Sequence, residues 1–327
     1  MAKFVNSSVK TINQFAFEKY GHNIEELAES LKIELSGRSC YDSFNKIDFY
    51  NNSDVKFSKN LIKSGHEAVI EFGQLHFKIN SNVHNKIPVS NYQWINQTFS
   101  NENGFIMSGN IRAWRNLIKN DKIDESLREY ILYVMKQQKD VSFMFDDIEY
   151  NSDVSFIHFQ YNFQRVNINE LKLNKEEKNI HKYFHFVLET TRSVMSEITR
   201  HRLCGFAIQS QRYVKYDNVE FIVPHWYNNE QHSFKDKIKH KFRKWLFRTF
   251  CQFAELGYSL MIKFGMKAED ARELLPNATK TIINICANLE EYNHIFSLRS
   301  SKAAYPNIRI ISDKMKEFVE KELESVL

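Results

Sequence analysis

The stretch SFKDKIKHKFRKWLFRTFCQFAELGYSLMIKFG, residues 233 to 265, narrows the possible folds more than any other part of this chain. In it Ile238, Phe242, Trp245, Leu246, Phe250, Phe253 and Leu256 recur at spacings of three and four. That period gathers them into one stripe of a long amphipathic helix. Ser233 is suited to the N-cap and Gly265 to the residue that follows the last turn. Lys235, Lys237, Lys239, Lys241, Arg243, Lys244 and Arg248 crowd the early turns. They read as a solvated face, with an anion-binding or partner-binding face as the alternative.

Around this helix the pattern is mixed. NLIKSGHEAVIEF has helical periodicity, and in QLHFKIN the residues Leu75, Phe77 and Ile79 alternate as in a half-buried strand. Residues 81–180 are richer in Asn, Asp and Lys and read as an inserted subdomain, with a short helix at GNIRAWRNLI. From His181 onward, HKYFHFVLET reads as a strand and SVMSEITRHR as a helix, with Arg200, His201 and Arg202 at its C-terminal end. NVEFIVP is a further strand. KAEDARELLP is a short helix ended by Pro276, TKTIINICAN a strand, EEYNHIFSLRSS a helix, and a last amphipathic helix opens at Pro306. Without a regular βαβ alternation the class is α+β. No internal repeat and no phosphate-binding glycine loop is present.

Composition removes several classes. With 43% hydrophobic and 26% charged residues, 9 Gly and 4 Pro in 327 residues, the chain is neither low-complexity nor disordered by composition. No apolar run approaches the roughly 18 residues of a membrane span, and MAKFVNSSVK lacks the apolar core of a signal peptide, so the expected location is cytoplasmic and no membrane partner is expected. Cys40, Cys204, Cys251 and Cys286 are far apart and show no metal-ligand spacing, so reduced thiols and no metal site are expected. A net charge of +5 permits an anionic ligand without implying nucleic acid, which is not an expected partner on this balance.

TRHRLCGFAIQSQRYVKY, residues 199 to 216, sets Arg200, His201, Arg202 and Arg212 beside an apolar run. Clustered guanidiniums next to apolar surface suit a phosphorylated, partly aromatic ligand, because the guanidinium binds phosphate as a fork and stacks on rings. Any one of these arginines, standing alone, reads equally as a surface ion-pair partner.

RHRLCGFAIQS has the form RHR, seven residues, then Ser, and resembles the signature of the flavin-dependent thymidylate synthases, the ThyX family. The likeness continues in order. GRSCYDSF lies near the N-terminus, GHEAVIEFGQLHF is similar to GHxSxxEHxxFxF, and SQRY follows the signature serine. ARELLPNATKT is similar to ARxxLPxxxxT, and NLEEYNHIFSLRSSKAAYPNIR to NxRxWxHFxxLRxxxxAxxxIR. The resemblance covers residues 37–80 and 181–310, and the insertion with SGNIRAW is similar to one in a longer branch of the family.

The resemblance implies one catalytic domain over residues 1–327, an α+β fold with a mixed sheet flanked by long helices, and the insertion at about 81–180. It implies reductive methylation of dUMP to dTMP, with methylenetetrahydrofolate as carbon donor, FAD as hydride carrier and NADPH as reductant. It also implies a homotetramer whose sites are shared between subunits. Arg299 matches the uracil-activating arginine: uracil C5 is a poor nucleophile unless charge develops on the ring, and a fixed cation stabilises that charge. Glu197, Arg200, Ser210, Gln211, Arg212 and Arg272 match residues that hold dUMP. His66, Arg200, His201, Arg202, Asn288 and His294 match residues that hold FAD. Ser210 reads as a binding group, since no triad partners accompany it. Cys204 reads as a small buried hydrophobe, although unrelated thymidylate synthases attack uracil with a cysteine.

Ala68, Phe72, Gly205, Ala207 and Ile208 depart from the family pattern, each removing a hydrogen-bonding group. Glu290 stands where the family has an arginine, and it is expected to pair with Arg200, Arg202 or Arg299, or else to face solvent. A flavoenzyme acting on another pyrimidine nucleotide, and a non-catalytic nucleotide- or nucleic-acid-binding protein, are the alternative functions.

Overall fold

The computed structural model describes residues 2–20, 28–48, 50–81, 87, 95–100, 104–119, 123–149, 161–230 and 233–324. Its centre is the antiparallel pairing of β7 (Tyr183–Thr191) with β10 (Lys280–Asn288), in register from Tyr183 opposite Asn288 to Thr191 opposite Lys280. β2 (Ser8–Thr11) extends the free edge of β7, and β8 (Gly205–Ile208) that of β10, giving the order β2-β7-β10-β8. The period of two divides the apolar residues between two layers. Phe184, Phe186, Leu188, Ile283, Ile285 and Ala287 pack on α7 (Arg192–Ile198), α10 (Leu289–Arg299) and α11 (Pro306–Glu324). Val187 and Ile282 face α1 (Ile12–Tyr20) and α2 (Glu29–Tyr41) through Ile12, Phe15 and Leu35.

A second sheet has the order β4-β5-β3-β6, from β3 (Gln74–Ser81), β4 (Ile95–Ser100), β5 (Gly104–Asn110) and β6 (Tyr161–Arg165). Leu75, Phe77 and Ile79 of β3 alternate into its core as the sequence indicates. There they meet Trp114 and Leu117 of α4 (Ile111–Ile118) and Ile131 and Met135 of α5 (Glu125–Lys136). Each helix starts at a side-chain cap, Asn110 accepting from Ala113 N at 2.8 Å and Asp124 from Leu127 N at 3.1 Å. The segment 81–180 therefore supplies three of the four strands, while β3 comes from the residues before it. Buried Ser108 joins this sheet to α6 (Lys175–His181), bonding both His76 and His181.

The fold class is α+β, as expected. Both four-stranded sheets are antiparallel, and the parallel pairing is that of β1 (Lys3–Val5) with β9 (Glu220–Ile222). The helical period in NLIKSGHEAVIEF is interrupted: α3 (Ser53–Lys63) ends before Gly65, whose φ of 73° breaks the helix, and Glu67–Phe72 continue as a 3-10 turn.

The long helix is present as α8 (Phe234–Lys263), 30 residues or about 45 Å. Its buried contacts differ from the expected stripe. Phe247, Cys251, Tyr258, Met261 and Ile262 pack on Phe4, Val219 and Phe221. Ile238, Phe242, Trp245, Phe250, Phe253 and Leu256 are exposed, Phe250 at 66% and Phe253 at 64%. Two apolar faces share this helix, and the small β1–β9 ribbon covers only one of them.

Candidate functional site

The residues singled out in sequence fall into two groups. The first forms where α7 ends and α10 ends. Thr191 caps α7 by accepting from Val194 N at 3.1 Å, and the helix stops at Ile198, which leaves Arg200, His201 and Arg202 in the turn before β8. Arg299, the last residue of α10, reaches across. Its Nη1 donates to Glu197 Oε2 at 3.1 Å, its Nη2 to the Glu197 carbonyl at 3.1 Å, and its Nε to His201 Nε2 at 3.2 Å. Three bonds fix the guanidinium plane, as a fork requires.

The bond from Arg299 defines the His201 tautomer, because Nε2 accepts and the proton must sit on Nδ1. Nδ1 lies 3.4 Å from Glu291 Oε1. Burial, with Arg299 and His294 nearby, holds the imidazole well below its usual range, at about 4, so it is neutral at pH 7. Burial likewise raises the Glu291 carboxyl. His294 stands edge-on to His201 with ring centres 5.7 Å apart. Arg200 and Arg202 are exposed, and neither has a carboxylate partner among the described residues.

The second group lies at the exit of β8. Ser210 Oγ accepts from Arg212 N at 3.2 Å and Tyr213 N at 3.4 Å, which folds residues 210–213 into a turn and leaves its hydroxyl proton free to donate. Gln211 is buried, with its side chain beside the buried Tyr216 hydroxyl. Arg212 donates to Glu269 at 2.7 Å in an exposed pair. Arg272 follows α9 (Ala268–Ala271), and its nearest carboxylate, the exposed Glu273, is 3.9 Å away. No hydrogen bond or ion pair among the described residues joins this group to the first.

His66 is exposed beside the 3-10 turn and bonded to neither group. Asn288 caps α10 by accepting from Glu291 N at 3.0 Å and donates to the Ile180 carbonyl at 3.3 Å, so both ends of its amide are engaged. The expected pairing of Glu290 with an arginine is corrected: Glu290 is exposed in the first turn of α10 and has no ion pair among the described residues. Glu197 takes the arginine that Glu290 was expected to hold. Cys204 is buried among the sheet and helix residues, and burial pushes its thiol far above the ordinary range, which suits packing and not nucleophilic attack.

Sequence reasoning missed Glu291, Arg192 and Tyr216. Arg192 opens α7, at the opposite end of that helix from the RHR turn. Several departures from the family pattern have a local cause in the second sheet. Phe72 is buried in its core and lies against His185, with ring centres 4.8 Å apart. Gly205 sits against Glu71, which Arg112 of α4 bonds at 2.6 Å. Ala207 is buried in the same core. No group of three or more His, Cys, Asp or Glu suited to a metal ion occurs among the described residues. No helix among them is long and apolar enough to cross a membrane.

A sheet-backed cluster of fixed and exposed arginines suits an anionic ligand. Residues 172–324 match the family described as thymidylate synthase complementing protein. The flavin-dependent thymidylate synthase of Haloarcula marismortui is 32% identical over 143 residues, 39% of this chain and 58% of the relative. That of Pyrococcus furiosus is 34% identical over 142 residues, 42% of this chain and 54% of the relative. The chain thus spans little more than half the length of these relatives. Among solved structures, the UMP/dUMP methylase PolB from Streptomyces cacaoi bound with 5-Br UMP is 19% identical, with 42% of this chain and 68% of that one covered and a TM-score of 0.38. A likeness that loose carries no weight.

Proposed function

We propose that this chain is a flavin-dependent thymidylate synthase that methylates dUMP reductively to dTMP, with methylenetetrahydrofolate as carbon donor and NADPH as reductant. The observation that carries the reading is Arg299, held by Glu197 and by a neutral His201 so that its charge is fixed in place before substrate arrives. A preorganised cation at the N3 and O4 edge of uracil stabilises negative charge as it develops and so makes C5 nucleophilic. Because His201 is neutral, it orients Arg299 without competing with it for that charge.

The donor set fits FAD. Arg200 and Arg202 are exposed and lack carboxylate partners among the described residues, which suits a pyrophosphate, and the exposed His66 and His294 have ring nitrogens for the polar edges of the cofactor. When bound, FAD supplies the hydride that completes the methyl group. Asn288, with its amide engaged, contributes to FAD through the helix end it caps. Ser210, Gln211, Arg212 and Arg272 form the nucleotide-binding half, with the Ser210 hydroxyl proton available to donate.

The two groups are halves of one site completed by different protomers of a homotetramer. Fully burying one large apolar side chain contributes about 1.5–3 kcal/mol, so an α8 face with six exposed apolar residues needs a cover. A second copy of this chain supplies both the cover and the missing half-site. The segment 81–180 is an insertion within the one catalytic domain.

Purified protein should carry FAD or take it up stoichiometrically, and reduced flavin should be reoxidised with formation of dTMP only when dUMP and methylenetetrahydrofolate are present. A folded, colourless protein that takes up no FAD and binds RNA with a steep salt dependence would overturn the reading in favour of a nucleic-acid-binding derivative.

A further inference from the structure

A cavity of about 680 Å³ opens between the two four-stranded sheets, and its described lining shares no residue with either group above. Gln74 of β3, His185 of β7 and Cys286 of β10 meet in its wall. Cys286 stands opposite His185 in the β7–β10 register, and its Sγ accepts from Gln74 Nε2 at 3.7 Å, so Gln74 and His185 flank one thiol. Phe72, His76 and Tyr183 add rings to the same wall. The exposed amides of Asn13 and Asn169 stand at the mouth.

The surrounding hydrogen bonds define what this wall presents. Gln74 Nε2 also donates to the Glu71 carbonyl at 2.8 Å; a carbonyl can only accept, so the amide nitrogen faces it and Oε1 is turned the other way. Asn284 donates through Nδ2 to Ser39 Oγ and to the Ala207 carbonyl, which directs its Oδ1 to His185 Nε2, 3.3 Å away. That contact requires the imidazole proton on Nε2 and leaves Nδ1 with a bare lone pair. Burial holds His185 neutral at pH 7, with a pKa of about 3. Gln74 Oε1 and His185 Nδ1 are both buried, and neither has a hydrogen-bond partner among the described residues. Two buried acceptors without a donor are unfavourable while the cavity is empty. The charged groups of the lining are already matched: Lys32 pairs with Glu29 at 2.7 Å, Glu322 with Lys182 at 3.3 Å, and Arg165 with Asp140.

A ligand that suits this wall is neutral, flat and a donor. The volume falls within the roughly 300–1,000 Å³ of small-molecule sites. An exocyclic amine on an aromatic ring offers two N–H bonds, one for each bare acceptor, while the ring meets the aromatic wall and a ribose meets the amides at the mouth. We infer that the cavity between the sheets is a second ligand site, for a nucleoside whose base carries an exocyclic amine, read by Gln74 Oε1 and His185 Nδ1. A base with a carbonyl in the amine's place, uracil among them, sets acceptor against acceptor and is rejected. The site therefore has the opposite preference to the uracil site proposed above, and it goes beyond that reading without depending on it.

The test is calorimetric titration of the full chain with adenosine, cytidine, inosine and uridine, with FAD and dUMP present in excess so that the site above is filled. Adenosine or cytidine should bind, and inosine and uridine, which carry a carbonyl where the amine stands, should bind about tenfold or more weakly. Gln74→Met and His185→Phe each remove one acceptor at nearly constant volume. Each should weaken the amino nucleoside by about tenfold or more and leave FAD uptake unchanged. Asn13→Trp, at the exposed mouth and clear of the core, should block entry; it decides the matter if neither buried variant folds. Equal binding of amino and carbonyl nucleosides, no binding of any of the four to the parent, or amino-nucleoside binding that survives in the folded variants would each overturn the inference. The readout is binding and not turnover, so a failure to form dTMP would refute the proposed reaction and leave this result standing.

Discussion

In the β4-β5-β3-β6 sheet and its helices, Arg115 is fully buried, bonded by both oxygens of Asp147 and by Glu67, and Arg165 is bonded by both oxygens of Asp140. Around the β2-β7-β10-β8 sheet, Arg200 and Arg202 have no carboxylate partner among the described residues, Arg192 has only a hydroxyl, and Arg299 is held with its charge shared between one carboxylate and a neutral imidazole. Both regions are antiparallel sheets under helices, so the difference lies in use. A buried guanidinium is retained for structure when carboxylates neutralise it, and a half-buried one without a carboxylate costs stability that only a ligand returns.

Substitution separates the two kinds of arginine. Arg299→Ala should lose on the order of a hundredfold or more in turnover, as for loss of a donor that stabilises developing charge, while the melting temperature stays within a few degrees. Arg115→Ala should do the reverse. It leaves Glu67 without its partner and Asp147 with Lys119 alone, beside the second core, and should cost about 3 kcal/mol of unfolding free energy, with dUMP affinity per folded molecule unchanged. Denaturant unfolding and steady-state turnover on both variants check the pair. If Arg115→Ala loses nucleotide affinity without losing stability, the contrast between the two sheets is false.

The smallest effect is expected at Glu290, an exposed residue without an ion pair among the described residues. Glu290→Gln should change FAD affinity and turnover by less than twofold, since exposed charges of this kind contribute at most about 1 kcal/mol. A tenfold loss in either measurement would show that Glu290 orients an arginine after all.

The regular elements were legible where one period ran unopposed. Leu75, Phe77 and Ile79 alternate into one core, Pro306 opens the last helix, and Gly265 follows α8 with a φ of 89°. The stripe from Ile238 to Leu256 was readable as helix but not as to which side is covered, because Phe247, Cys251 and Tyr258 make a second apolar face at the same period. Local pattern has no term for that choice, which long-range packing against Phe4 and Phe221 makes. At the site, sequence brought forward Arg299 and the RHR turn through a resemblance, but not the His201–Glu291 contact or the place of Arg192. Those depend on α10 and β10 crossing residues about 90 positions earlier in the chain. Polar groups missing at Phe72, Gly205 and Ala207 looked like losses from the site, while the structure shows these positions packed against the second sheet or against Glu71.

The central claim is that the Arg299 group and the Arg272 group are complementary halves of a dUMP-methylating site drawn from different protomers. Its most direct test is to co-express the full-length chain carrying Arg299→Ala with the chain carrying Arg272→Ala and to measure dTMP formation by the mixed assemblies. Each variant alone should be nearly inactive. Random mixing in a symmetric oligomer should restore roughly a quarter of the parental activity, the fraction of sites that receive an intact half from each of two chains. If the mixture stays as inactive as the variants alone, although mass spectrometry shows that the chains have mixed, the two arginines act within one chain and the account of a shared site is contradicted.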